Sequence, residues 1–468
     1  MMDLLGVNER LHHPAKLTVI KNADVVVCMD DARREIADGA IAFRGGVVAA
    51  VGPTGEFAAL IDDADAVIDA SGCIVTPGLV NTHHHLFQSL TRALPGAINA
   101  SLFDWLKCLY PVWAQYRPDD VFAATQLGLA ELALSGCTLS SDHLYLFPNG
   151  VTLDDSIAAA QTIGIRFHPT RGAMSVGESD GGLPPDSLVE SEAAILNDAI
   201  RLIDRFHDPK DGAMLRVGIA PCSPFSVGQG LMRDAAALAR DKRVMLHTHL
   251  AEDADDVAFS LERFGCSPGQ YAENLGWTGN DVWLAHCVRL NDDEIDLFAR
   301  TKTGVAHCAS SNCRLGAGIA PVKSMFEKGV PLGLGVDGSA SNDSGNLLLE
   351  ARQALLMQRA VGGPAAFDPR DALFLATRGG AEILGRHDCG SLEVGNRADI
   401  AIWDVSGIAS FGAWDKVAGL ILSPPNGARD VFVEGCAVVR DYDLVQASRR
   451  GILTAADRSL TRLKGLFR

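Results

Sequence analysis

Thr76-Pro-Gly-Leu-Val-Asn-Thr-His-His-His-Leu-Phe-Gln88 is the stretch that decides the fold. An apolar run opened by Pro77-Gly78 reads as a buried strand, and it runs straight into three histidines. In an extended segment, residues two apart share a face. His83 and His85 can therefore aim two imidazoles at one point, while His84 turns the other way. Two nitrogens converging from a rigid strand end make half of a metal site. The remaining ligands, a proton carrier and a pocket must come from elsewhere in the chain.

Working outward, the segment from Val75 to about residue 385 alternates apolar strands with amphipathic stretches. The strands read as Thr138–Asp142, Arg166–Thr170, Leu215–Ala220, Val244–His249, Val282–His286, Gly304–His307 and Pro331–Asp337. Helical patterns lie between them, at Asp119–Leu134, Ser187–Phe206, Gly230–Arg240 and Asp292–Ala299. With the opening strand this makes eight strand–helix units, the signature of an α/β fold of the (β/α)8 TIM-barrel type. A doubly wound open sheet is the alternative.

Both ends of the chain have a different texture. Residues 1–15 carry no periodicity and read as an arm. Short β-rich runs follow, at Leu17–Ile20, Asp24–Met29, Ala40–Phe43, Val47–Val51 and Ala66–Asp69, with turns at Gly45-Gly46 and Gly52-Pro53. After about residue 386 strands and turns return, at Gly390–Trp403 and Asp430–Val439. The two ends are therefore expected to build one small β-sandwich domain beside the barrel. The expected division is 1–75 and 386–468 for that domain and 76–385 for the barrel. The chain closes on a basic helix, Ser448–Leu466, whose Arg and Lys read as a solvated face.

The bulk numbers agree with an enzyme-sized globular chain. It has 468 residues, 47% of them hydrophobic, enough to fill a large core. A formal net charge of -17 argues against nucleic-acid polymers and anionic membranes as partners, but not against a small neutral ligand. Eleven cysteines without a disulfide-like rhythm suit free thiols in a reducing cytoplasm. There is no basic-then-apolar leader and no apolar run of membrane-spanning length, so a cytoplasmic protein is expected.

Active sites of such barrels lie at the C-terminal ends of the strands. The first strand ends in His83 and His85. The fifth ends in His247-Thr-His249-Leu-Ala-Glu252, the sixth in His286 and the eighth in Asp337. Ligand-type side chains on four of eight strand ends, all at one barrel face, point to a metal-dependent site.

At this point the chain resembles the amidohydrolase superfamily, in its mononuclear-zinc deaminase branch. The matching features are Pro77–His85, His249-x-x-Glu252, Leu284-Ala-His286-Cys, His307–Asn312, Gly335-Val-Asp337-Gly and Gly390–Asp399. The resemblance runs from about residue 17 to 440. The resemblance implies that His83, His85, His249 and Asp337 hold one divalent metal per subunit, Zn2+ in the first place and Fe2+ as the alternative. Such a metal would acidify a water molecule. Asp337 would accept that water's proton, and His286 would share it or polarise the forming oxyanion. Glu252 would protonate a ring nitrogen of the substrate and then the departing amine. Dinuclear relatives carry a strand-four lysine; here that strand ends Ile219-Ala-Pro-Cys-Ser, which favours one metal.

Three further residues follow strand ends. Gln88 carries an amide suited to a lactam edge, Tyr145 a phenol and Cys222 a thiol. Phe87–Arg92, Ser140–Phe147 and Ile219–Phe225 are similar to the 8-oxoguanine deaminases. In that group the Gln meets the purine O6, the Tyr meets N7 and the Cys lies at the O8 side. The implied partner is a small purine base, and the implied reaction is 8-oxoguanine plus water to urate plus ammonia. Slower turnover of guanine and isocytosine is expected, since they share the same ring edge. The chemistry on guanine, cytosine or an s-triazine is the nearest rival. Homo-oligomers are common among barrel relatives, but the sequence carries no sign of one.

Other readings are weaker. Gly172–Pro185, rich in Gly, acids and Pro, suggests a lid. Trp105 and Trp113 suggest an aromatic wall. Gly177-Glu-Ser-Asp-Gly181 spells a serine-hydrolase elbow but lacks the flanking strand and helix. Gly333-Leu-Gly-Val-Asp-Gly338 spells a dinucleotide-binding loop without the helix that should follow, which weakens a dehydrogenase reading. The deaminase signature of nucleic-acid editing is absent. A non-catalytic barrel scaffold would have no use for both Glu252 and His286.

Overall fold

The computed structural model describes residues 16–467; the expected N-terminal arm at 1–15 lies outside them. Five strands open the chain: β1 (Leu17–Val27), β2 (Glu35–Arg44), β3 (Val47–Pro53), β4 (Ala66–Asp69) and β5 (Cys73–Pro77). Eight follow in the middle: β6 (Leu79–Asn81), β7 (Cys137–Leu144), β8 (Arg166–Ala173), β9 (Gly218–Pro221), β10 (Leu246–Leu250), β11 (Val282–His286), β12 (Gly304–His307) and β13 (Leu332–Leu334). These eight pair in parallel and close into a barrel, in the order β10-β11-β12-β13-β6-β7-β8-β9. Sequential parallel strands with helical crossovers have this closed solution available. An open doubly wound sheet is therefore ruled out.

The last strands are β14 (Ile400–Asp404), β15 (Asp430–Val433), β16 (Cys436–Arg440) and β17 (Asp443–Leu444). Together with β1–β5 they form a nine-stranded mixed sheet, in the order β17-β16-β15-β14-β5-β1-β2-β3, with β4 pairing β1. Both chain ends meet where β5 runs antiparallel to β14, Ile74 opposite Trp403 and Pro77 opposite Ile400. Its two arms enclose a core of Ile20, Val26, Phe43, Val75, Ile400 and Phe432, which makes this the small sandwich domain. The expected pair of runs at 17–20 and 24–29 is one strand, β1, whose register on β2 shifts between Ile20 and Ala23. Asn22 there has a left-handed φ of 59°, the kink that lets one strand serve both β4 and β5.

Gly78 carries the chain from the small sheet into the barrel. Its amide donates to Asp399 O at 2.9 Å. A Cβ there would lie 2.1 Å from the Thr138 side chain, so only glycine passes. At the N-terminal end of the barrel, Arg166 is fully buried and bidentate on Asp399, at 2.6 and 2.9 Å. Its guanidinium also reaches Glu434. This ion pair ties β8 to the small domain at the face away from the chemistry.

Outside the barrel, the helices follow the apolar stripes with small boundary shifts: Pro118–Leu134, Glu192–Phe206, Gln229–Lys242, Asp292–Thr301 and Arg449–Leu466. The stretch expected to be helical from Ser187 starts only at Glu192, capped by Ser191. A helix at Leu102–Trp113 precedes the first expected one. Among the described residues no helix is long and apolar enough to cross a membrane. All eleven cysteines are free.

Candidate active site

Period-two geometry does at the barrel mouth what the sequence demands of it. His83 and His85 continue β6 in extended form, their ring centroids 4.7 Å apart. His84 turns outward, where its ring lies near Gly128 of the helix 118–134. Gly335 leaves room for His83: a Cβ there would meet the His83 Cβ at 2.6 Å. On β10, His247 and His249 point the same way.

His286 breaks the pattern. Along β11, Trp283 stacks on His247 inside the barrel (centroids 4.4 Å apart), while Leu284 joins the core shared with the outer helices. Simple alternation would send His286 out with Leu284. Its left-handed φ of 69° turns the ring back, where it stacks on His249 at 5.4 Å. Asp337 also has a left-handed φ, 62°. A non-glycine residue in that region costs about 1–2 kcal/mol, which the surrounding packing must over-determine.

The hydrogen bonds fix which nitrogen of each ring is free. His85 Nδ1 lies 2.7 Å from His143 O, and His249 Nδ1 lies 2.6 Å from Cys222 O. A carbonyl only accepts, so each Nδ1 must donate. His247 Nδ1 likewise donates to Trp283 O at 2.8 Å, so His247 Nε2 accepts from His83 Nδ1, also at 2.8 Å. The Nε2 atoms of His83, His85 and His249 are thus left as bare lone pairs. His85 Nε2 and His249 Nε2 are 3.0 Å apart, with no proton available between them. The Asp337 carboxylate adds Oδ1 at 3.2 Å from His83 Nε2 and 3.3 Å from His85 Nε2. Only a cation makes such a group of facing acceptors favourable. Three imidazole nitrogens and one carboxylate fit a single Zn2+.

Electrostatics agree. Burial holds His83, His85 and His249 below the usual imidazole range, His249 at about 3, so they are neutral ligands. Asp337 stays a carboxylate despite its burial, held well below the usual range. Ser311 Oγ and Ser341 Oγ donate to its other oxygen, Oδ2, at 2.6 and 2.8 Å. Glu252 goes the opposite way. Burial, reinforced by the charges of Asp337, Asp253 and Asp256, raises it well above the carboxylate range and favours its protonated form.

His143 was not among the sequence candidates. It joins His83, His85 and His249 in a group whose ligand atoms all lie within 4.8 Å of one another. Its Nε2 donates to Ala220 O at 2.8 Å, and its Nδ1 is buried without a partner. The signal was available: His143 stands two residues before Tyr145 on an extended segment, so the two share a face.

All the candidate residues except His83 line one cavity, with about 400 Å³ of unfilled space including its mouth. Gln88 is buried, with Oε1 accepting from Ala340 N at 3.4 Å and Nε2 unpaired. Burial keeps the Tyr145 phenol well above its usual value and the Cys222 thiol at about 12, so both stay protonated. The cavity wall was the least legible part. Leu102, Trp105, Leu106 and Tyr110 of the helix 102–113 supply it, and Trp105 Nε1 anchors that helix on Ala340 O at 3.0 Å. Trp113 lies deeper, against Phe87.

The segment expected as a lid contributes no lining residue. Ser175 N and Val176 N bond to Ser226 O, pinning its start. Ser179, centre of the elbow-like motif, sits in a short turn and donates to Asp186 at 3.1 Å. After Gly338 no helix begins until Leu347, so the dinucleotide-type loop lacks its helix. A second recess, about 580 Å³ beside Phe411 and the Asp24–Lys416 ion pair, gathers no catalytic side chains.

Comparison with known proteins adds to this geometry. A sequence model described as "Amidohydrolase family" matches residues 74–438. An 8-oxoguanine deaminase of Pseudomonas aeruginosa is 48% identical over 375 residues, covering 80% of this chain and 84% of that protein. An isoxanthopterin deaminase from an unknown prokaryote is 37% identical, covering 82% and 84%. A crystal structure of an atrazine chlorohydrolase from Arthrobacter aurescens TC1, complexed with zinc, superposes with a TM-score of 0.90 at 33% identity, over 95% of this chain and all (100%) of that one.

Proposed function

This chain belongs to the amidohydrolase family and is a metal-dependent hydrolase acting on C–N bonds, and on that premise we propose that its substrate is 8-oxoguanine. The reaction adds water at C2 and releases the C2 amine: 8-oxoguanine and water give urate and ammonia. The observation that carries this reading is the meeting of Gln88, Tyr145 and Cys222 with Glu252 and His286 around one cavity. The 48% identity to an 8-oxoguanine deaminase supports it.

His83, His85, His249 and Asp337 are the residues that would hold the zinc. Such an ion supplies a Lewis acid that makes water acidic near neutral pH. The protein's own groups do the rest. His286 Nε2 takes a hydrogen bond from the attacking water, and Asp337 receives its proton. Burial raises Glu252 well above the carboxylate range, which favours its protonated form. Glu252 delivers that proton to the ring nitrogen beside C2, takes up the proton of the new C2 hydroxyl and passes it to the departing amine; the proton held by Asp337 then restores the Glu252 carboxyl. Gln88 Nε2, a buried donor without a partner, suits the purine carbonyl O6. Tyr145 faces N7, and the neutral Cys222 thiol lies at the O8 side. The apolar wall of Leu102, Trp105 and Leu106 excludes bulk water and stacks on a flat ring. Eleven free thiols suit a reducing compartment such as the cytoplasm.

The test is a panel of aminated heterocycles with zinc-loaded protein, followed by ammonia release and urate absorbance. Turnover of 8-oxoguanine ahead of guanine and isocytosine is expected. Ammonia from guanine, or hydrolysis of a triazine, with none from 8-oxoguanine would overturn the assignment.

A further inference from the structure

We infer that Asn312 decides which nitrogen of His286 carries the proton, and is therefore a positioning residue for the hydrolysis; this rests on the reading of the site given above. His286 Nδ1 lies 2.9 Å from Asn312 Oδ1, and both side chains are buried. An amide oxygen accepts and does not donate, so Nδ1 must hold the proton. A neutral imidazole has only one, which leaves Nε2 with a lone pair. That Nε2 is the atom facing the cavity, 3.6 Å from Glu252 Oε2. With the proton on Nε2 instead, His286 would donate to the attacking water rather than accept from it.

Asn312 is also unlike the asparagines that serve the fold. Asn81 is satisfied at both ends of its amide: Nδ2 donates to Ser140 Oγ at 3.0 Å and Oδ1 accepts from Val336 N at 2.9 Å. Asn312 Nδ2 is buried with no partner. Its side chain is spent on His286 alone. The backbone around it is firmly held, with Asn312 N on Cys308 O at 3.0 Å and Ala317 N on Asn312 O at 2.9 Å. Ser310 N is fixed by Glu350 Oε1 at 2.9 Å, which ties this short helix (Ala309–Arg314) to the helix Leu347–Gly362. The preceding side chain, Ser311, holds Asp337 Oδ2. One turn after β12 thus delivers two consecutive side chains to two reacting groups of the site.

The experiment compares zinc-loaded wild type, Asn312→Asp and Asn312→Leu on 8-oxoguanine across pH, each at its own optimum, with zinc content measured on the same samples. Ionised aspartate keeps an acceptor oxygen and cannot donate; leucine keeps the volume and removes the acceptor. The expected result is a kcat for Asn312→Leu at least about tenfold below wild type, with KM within about twofold and zinc content unchanged. Asn312→Asp should stay within about threefold in kcat. Wild-type kcat in Asn312→Leu, or a loss in Asn312→Asp equal to that in Asn312→Leu, overturns the inference. If Asn312→Leu does not fold, Asn312→Ala takes its place in the same comparison. Wild type inactive on 8-oxoguanine but active on another aminated ring would sink the substrate assignment only, and the variants are then compared on that ring.

Discussion

Glu252 and His286 face each other across the cavity, Oε2 to Nε2 at 3.6 Å, from the ends of neighbouring strands. Neither is more than 5% exposed. His286 is turned inward by a left-handed backbone, and burial raises Glu252 well above the carboxylate range. An acid and a ring nitrogen so placed can serve opposite sides of one reacting carbon. Glu252→Gln keeps the shape and removes the transferable proton. It should bind zinc at the wild-type ratio and lose about 10²–10⁴-fold in kcat. Metal analysis and steady-state kinetics on the same preparation check this; substantial turnover would take Glu252 out of the mechanism.

The facing lone pairs of His83, His85 and His249 make the second prediction. Without a cation they repel one another and the Asp337 carboxylate. Metal analysis should find one zinc per chain. Removing it with a chelator should abolish turnover and lower Tm, and both should return on titration with zinc. At free zinc one hundred times its Kd the stabilisation is about 2.7 kcal/mol. Asp337→Asn removes the charge that balances the ion and should lower zinc content as well as kcat. Full activity in a protein shown to be metal-free would end the zinc reading.

How much of this was legible in the sequence depends on which rule each residue obeys. His83 and His85 were legible because period two on an extended segment leaves no choice of face. The barrel was legible because eight apolar runs alternate with helical stripes. His286 was found by its place at a strand end, although alternation alone points it outward; only its backbone shows why it turns in. His143 was hidden beside the more conspicuous Tyr145. The helix 102–113 was hidden although Asp104, Lys107 and Pro111 mark its exposed face, because a proline inside the pattern reads as a break. Asn312 lay inside a quoted motif, but a hydrogen bond across 26 residues has no local signature.

Gln88 gives the third prediction. Its Oε1 is held by Ala340 N, and its Nε2 is buried and unpaired, waiting for an acceptor. Gln88→Leu removes that donor at similar volume. It should lower kcat/KM for 8-oxoguanine about 10–100-fold, at unchanged zinc content, since a hydrogen bond to a buried polar edge is worth about 1–3 kcal/mol. Gly338→Ala should act through the same residue, because its Cβ would lie 1.9 Å from Gln88 Oε1. Kinetics of the two single variants and the double variant check the link: losses that simply add would show that they act independently.

Asp256 gives the last. It is buried, accepts from Glu252 N at 3.0 Å, and is pushed by burial from 3.8 to about 7. A carboxyl raised in the folded state is favoured while protonated. Its contribution is fully present below the unfolded value and is lost as pH rises through about 7. The buried histidines have the opposite sign, so the whole pH curve cannot isolate this residue. The difference between wild type and Asp256→Asn can, because asparagine keeps the acceptor for Glu252 N and never ionises. Denaturant unfolding at fixed zinc should find wild type losing stability relative to the variant from pH 5 to pH 8, on the order of 2 kcal/mol. A difference that is flat or of opposite sign would mean that Asp256 stays ionised in the folded protein, and the carboxylate raising Glu252 from that side would then carry a full charge.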